Sequence, residues 1–316
     1  TNPSATGHIW LNKTSGEYYI CTDNTAGSNV WTNVGEGVDG VAPAVWYGGR
    51  GVFAGGYTTA RVNVIDYITI STTGNATDFG DLTGVRNGFT GCSNGVRGLF
   101  EGGYVTGEVD IIDYITISTV GNATDFGNLT VARYLAAACS NGTRAVFAGG
   151  TPDNTTIDYV TIDTVGNAQD FGDMSVIGYY FGSCSDGTKG IIAGGYRGGV
   201  SNVIDYVTID TLGNSVDFGD LTLARYNLCG CSDTTRGLFA GGITLTDTID
   251  YITMATIGNA TDFGNLSATR SGLKACSDGI KGVFGGGLNS VNLNIIEYVT
   301  VQTLGNATDF GDLTLA

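Results

Sequence analysis

Along Val64-Ile65-Asp66-Tyr67-Ile68-Thr69-Ile70, apolar residues fall on both alternating faces, which predicts a strand covered on both sides. β-Branched residues and tyrosine, which suit a packed pleated surface, dominate it. The pattern returns with Tyr67, Tyr114, Tyr159, Tyr206, Tyr251 and Tyr298, preceded in turn by Asp66, Asp113, Asp158, Asp205, Asp250 and Glu297. A basic residue leading into a short run and Gly-Gly recurs at Arg50, Arg97, Arg144, Lys189, Arg236 and Lys281. The triplet Asp-Phe-Gly recurs with Phe79, Phe126, Phe171, Phe218, Phe263 and Phe310, at spacings of 47, 45, 47, 45 and 47 residues. Six copies therefore tile residues 41–316.

Each copy predicts four strands, a to d. Strand a ends in Cys-Ser and meets an Asn-Gly or Asp-Gly pair (Asn94-Gly95, Asn141-Gly142, Asp186-Gly187, Asp278-Gly279), the strongest short hairpin signal. Strand b starts at the basic residue and stops at Gly-Gly. Strand c is the doubly apolar segment, and a Gly-Asn pair such as Gly121-Asn122 turns it into strand d with Asp-Phe-Gly. Two hairpins make one four-stranded antiparallel blade, and a strand apolar on both faces needs a blade on each side. A β-propeller supplies that. The fold class expected is all-β, a six-bladed β-propeller of four-stranded antiparallel blades at 38–316, preceded by a small β-hairpin module at 1–37. All copies share one phase, so the last blade is expected to meet the first by packing alone. The first copy, around Val41–Arg50, lacks the cysteine, and the last reaches Leu315-Ala316 where others continue into Arg, which raises the expectation of a further segment.

Composition fits this scheme and narrows the function. Glycine supplies 52 of 316 residues and proline 3, which suits tight turns, and charged residues are only 14%. The net charge of −16 opposes phosphate backbones, so no nucleic-acid partner is expected. No run of 18 apolar residues exists, so membrane insertion is not expected either. His8 is the only histidine, which removes most metal and nucleophile–base arrangements, and the chain is read as no enzyme. A polysaccharide-cleaving enzyme would need paired acids in one pocket.

Arg133-Tyr134 and Arg225-Tyr226 before strand a, Gly149-Gly150 and Gly194-Gly195 after strand b, and the strand-c tyrosine together resemble the kelch family of β-propellers. Kelch repeats carry tryptophan in strand d where this chain has phenylalanine. Ahead of the repeats, Gly7–Asn12 and Glu17–Cys21 flank a Thr-Ser-Gly turn, a third strand ends in Val30-Trp31-Thr32, and Trp10 and Trp31 are expected to hold the unit. Its Ile-Trp-x-Asn-x-Thr-x-Gly-x-x-Tyr pattern resembles connector modules of tailed-phage fibre and virion proteins. Residues 35–40 read as a linker. The resemblance implies localisation in a virion assembled in host cytoplasm, contact with other virion proteins through this module, and a homo-oligomer.

Repeated polar residues are first read as structural. In Asp-Phe-Gly the phenylalanine is expected to wedge the blade and the aspartate to cap a turn; a kinase reading fails because neither its lysine strand nor its His-Arg-Asp loop occurs. The strand-c acids are expected to pair with the strand-b basic residues, because an unpaired buried carboxylate is costly. Calcium is the competing use of these acids, without a compact Asp-x-Asp-x-Asp-Gly loop to support it; otherwise no cofactor is expected. Cys92, Cys139, Cys184, Cys231 and Cys276 share one position, too far apart for disulfides, and read as buried thiols. Asn75, Asn122, Asn259 and Asn306 sit in glycosylation sequons, but in turns that the hairpin demands.

The copies differ chiefly in the b–c loops and the d–a junctions, which emerge on one face of a propeller. That face carries the candidate ligand-binding residues Tyr57, Arg61, Tyr104, Tyr134, Tyr179, Tyr180, Tyr196, Arg197 and Tyr226. Rigid aromatics beside short polar groups suit sugars or a protein epitope. The function expected is a non-enzymatic virion or tail-fibre binding module for a host-surface glycan or receptor. The alternative is structural decoration of a capsid or tail without a host ligand.

Overall fold

The computed structural model describes residues 9–11, 18–23, 30–35, 48–152, 154–243 and 246–316. The chain divides into two compact units, Thr1–Val45 and Trp46–Ala316. In the first unit, strands Ile9–Leu11, Tyr18–Asp23 and Val30–Gly35 form one antiparallel sheet in chain order. The side chains of Trp10 and Trp31 fall outside the described set.

The second unit is a six-bladed β-propeller. Blades 2 to 6 are four-stranded antiparallel sheets in the order a-b-c-d; the third consists of Ala137–Ser140, Arg144–Ala148, Thr156–Thr161 and Gln169–Asp173. Blade 1 shows strands b, c and d at Arg50–Tyr57, Arg61–Thr69 and Thr77–Asp81. The start of this first copy, expected around Val41–Arg50, lies outside the described residues up to 47. Apolar clusters alternate with the sheets: Val146 and Ile157 of blade 3 share one with Phe181, Ile192 and Val207 of blade 4. This is the two-sided cover that the strand-c pattern requires.

The Asp-Phe-Gly triplet is a bulge. In blade 3, Ile157 pairs with Gly172 and Asp158 with Asp170, leaving Phe171 as the extra residue. Phe171 is buried and meets Tyr159 edge-on at 6.1 Å. The triplet aspartates are exposed rather than capping turns. The glycine is dictated by the next blade: Gly172 has φ +148, and a β-carbon there would lie 2.5 Å from the Gly213 carbonyl oxygen. That approach lets the Gly213 and Ser215 amides donate to the carbonyls of Phe171 and Asp173, each at 2.9 Å. The Asn214 side chain accepts from the Asp173 amide at 3.0 Å. The same side-chain bond recurs for Asn75, Asn122, Asn167, Asn259 and Asn306, so the sequon asparagines are blade fasteners.

Closure uses the same devices. The Gly74 and Ala76 amides of blade 1 donate to Phe310 and Asp312 of blade 6 at 2.8 and 2.7 Å. Lys281 donates to the Ile70 carbonyl at 3.1 Å, as Arg97 does to Ile162 of its neighbour at 3.0 Å. The expectation of closure by packing alone is therefore corrected: hydrogen bonds join the last blade to the first.

Candidate functional site

The strand-c acids first show where the charges go. The expected pairing with strand-b cations is not found. Arg50, Arg97, Arg144 and Arg236 instead lie over the strand-c tyrosines Tyr67, Tyr114, Tyr159 and Tyr251, at 4.3–4.8 Å from the ring centres. They donate to a carbonyl at the strand-c end of the next blade. The reason is register: the basic residue pairs with the last threonine of strand c, so the acid, three residues back, is out of reach.

The acids receive a different arginine. Arg86, Arg133 and Arg225, in the d–a junctions, meet Asp113, Asp158 and Asp250 at 2.8, 3.0 and 3.0 Å, with both partners almost wholly buried. Arg270 pairs likewise with Glu297. Three residues before each arginine, Thr83, Thr130, Thr222 and Ser267 donate to the same acid. The buried carboxylates thus anchor the junctions and hold up the face on which they run. Among the described residues no group of three or more histidine, cysteine or acidic side chains forms a metal site.

The junctions and b–c loops meet on one face. The Tyr179 amide donates to Tyr196 and the Tyr196 amide to Tyr179, at 3.3 and 2.9 Å; Tyr134–Thr151 and Tyr226–Ile243 pair similarly. The next junction residue turns into the left-handed region: Leu135, Tyr180 and Asn227 have φ of 61, 63 and 60°. For leucine and tyrosine this conformation is strained. It is held by a chain of amides around the axis, Leu135 to Gly88, Tyr180 to Leu135, Asn227 to Tyr180 and Gly272 to Asn227, at 2.6–2.9 Å. These residues rim a cavity of about 690 Å³, walled by strand-a residues including Cys139, Cys184 and Cys231. Burial pushes the Cys139 thiol up to about 12, and Cys139, Cys184 and Cys231 are free thiols.

On the same face the tyrosines form an arc, of which Tyr180 lines the cavity. Tyr179 stacks on Tyr196 at 5.5 Å, Tyr180 lies 5.6 Å and Tyr196 5.9 Å from Tyr226 of the next blade, and Tyr104 meets Tyr134 at 5.1 Å. Burial, and then the phenols of Tyr134, Tyr226 and Tyr179, raise the Tyr180 phenol above its ordinary value. Arg61 extends the arc, lying over Tyr104 at 5.0 Å and donating to Asn87 at 2.8 Å. Tyr57 pairs with Arg61 across blade 1, lines the cavity and is 56% exposed.

Arg197 is the exception among the sequence candidates. Its side chain is 5% exposed and its guanidinium is bound to Asp205. Blade 4 has Gly178 where the junctions leading into blades 2, 3, 5 and 6 carry arginine, and Arg197 reaches across from the b–c loop to fill that space. The left-handed residues Leu135 and Asn227 at the rim were not anticipated; their position, directly after Tyr134 and Tyr226, was the available signal. No protein-family model matches the chain, and no curated protein matches it significantly.

Proposed function

We propose that this protein is a non-enzymatic binding module, a kelch-like propeller on a virion or tail fibre that recognises a host-surface glycan or protein through the tyrosine arc. The observation that carries the reading is the gathering of Tyr104 with Tyr134, and of Tyr179, Tyr180 and Tyr196 with Tyr226, from four successive blades on the face of the junctions and b–c loops, with Tyr180 lining the cavity. Stiff aromatic rings with hydroxyl tips offer stacking surface and hydrogen bonds at small entropic cost. Strained backbone at Leu135 and Tyr180 fits a preorganised recognition surface. A net charge of −16 favours neutral or cationic ligands over polyanionic ones. The virion setting rests on the resemblance of the first unit to fibre connector modules, through which the protein would join other virion proteins.

The test is calorimetric titration with neutral host-surface oligosaccharides, together with adsorption of the protein to host cells. Tyr179→Ala and Tyr226→Ala are expected to weaken both by about tenfold or more, as loss of a central aromatic anchor does. Undiminished adsorption by both variants, with the fold intact, overturns the proposal.

A further inference from the structure

Five of the six strand-c acids hold a guanidinium, and among the described residues the sixth, Asp66, meets none. Asp66 is 6% exposed and is bound by Thr314, whose amide donates at 3.0 Å and whose hydroxyl donates to Oδ1 at 2.8 Å. Thr83, Thr130 and Thr222 treat their acids in the same way, and each is followed three residues later by the arginine that completes the site. At Asp66, among the described residues, no guanidinium or ammonium group arrives. The space it would fill is present. A β-carbon on Gly103 or Gly150 would lie 3.0 or 3.4 Å from Cδ of Arg86 or Arg133, whereas one on Gly56 meets nothing within 4 Å. Asp66, Gly56, Val64 and Leu315 all line the cavity, so this space is continuous with it.

The remaining acceptor is also in place. In blades 2, 3 and 5 the guanidinium donates both to the acid and to the carbonyl of Phe100, Phe147 or Phe239, the residue paired with that acid across the sheet. In blade 1, Phe53 pairs with Asp66 in the same register. Blade 4 adds the decisive comparison. There the guanidinium comes from Arg197 on a different loop and still lands on Asp205. The site therefore selects the planar donor group and not the segment that delivers it, as expected where a carboxylate and a carbonyl present acceptors to a fork of N–H groups.

We infer that the space beside Asp66 and Gly56 is a binding site for a guanidinium group, an arginine side chain being its occupant. An arginine following Ala316 and an arginine on a separate peptide present the same chemistry. Two arms separate them. In the first, Nα-acetyl-arginine amide is titrated into the full chain, with the neutral citrulline compound as the isosteric control, and the Asp66 and Thr314 amide resonances are followed. In the second, the chain is extended after Ala316 by Arg-Tyr or by Ala-Tyr and its melting temperature is measured.

Binding of the arginine compound about tenfold or more tightly than citrulline, the discrimination one charge-assisted hydrogen bond provides, supports a separate donor. A higher melting temperature for the Arg-Tyr than for the Ala-Tyr extension supports an appended one. Asp66→Asn is expected to abolish either effect, and the citrulline comparison stands by itself if that variant fails to fold. Equal behaviour of arginine and citrulline, together with equal melting of the two extensions, overturns the inference.

Discussion

Glu101 stands in strand b of blade 2 where the other blades carry Ala54, Ala148, Ala193, Ala240 and Gly285, and it is 1% exposed with Oε2 unpaired. In other blades that small residue faces a large one from the next junction, as Ala54 does with Phe89, Ala148 with Phe181 and Ala240 with Leu273. The junction of blade 3 has Ala136 at this position, so Glu101 provides the volume from the other side. Burial lifts its carboxyl from about 4.5 to about 7; Arg133 and Arg86 pull it down and Asp158 pushes it up. The folded protein therefore keeps this proton up to about pH 7, while the unfolded chain releases it near 4.5. Between those values the folded state binds more protons, so stability falls as pH rises through the window and levels off above it. The full penalty is ~3 kcal/mol, at about 1.4 kcal/mol per pH unit. Glu101→Gln keeps the volume and removes the ionisation. Urea unfolding should show the variant matching the parent at pH 4.5 and exceeding it by ~3 kcal/mol at pH 8.5. A stability difference that stays constant across this range refutes the reasoning.

Arg133→Met leaves Asp158 buried without its cation and is expected to destabilise by about 3–5 kcal/mol, with much of the loss recovered in Arg133→Met/Asp158→Leu; chemical denaturation of the pair checks this. Gly172→Ala drives a methyl group against the Gly213 carbonyl at an unfavourable φ, so a loss of roughly 2–4 kcal/mol is expected, read as a lower melting temperature. Cys139, whose thiol titrates only near 12, should resist alkylation at pH 8 in the native state and react once urea unfolds the chain; native labelling followed by mass spectrometry decides this.

Much of this architecture could be read along the chain, because its signals are local. The Asn-Gly and Gly-Asn turns, the alternation within each strand and the regular return of Asp-Phe-Gly specify hairpins without knowledge of what surrounds them. Covered strand faces then require neighbouring blades, and six copies supply a ring. Tyr179, Tyr180, Tyr196 and Tyr226 were assignable to one face because the variable connections of a propeller share a face.

Which groups touch was decided elsewhere. The acid of strand c pairs with an arginine 25 or 27 residues earlier, not with the nearer cation of strand b, because sheet register places the latter over a tyrosine ring. Arg197 left the recognition face for the same electrostatic reason: a buried Asp205 without a junction arginine draws in the nearest guanidinium. The left-handed turns of Leu135 and Tyr180 exist because amides of adjacent blades meet around the axis and over-determine the backbone. Local chemistry thus set the blades and their number, while contacts between blades, made across some 45 residues of chain, chose the charge partners and shaped the rim.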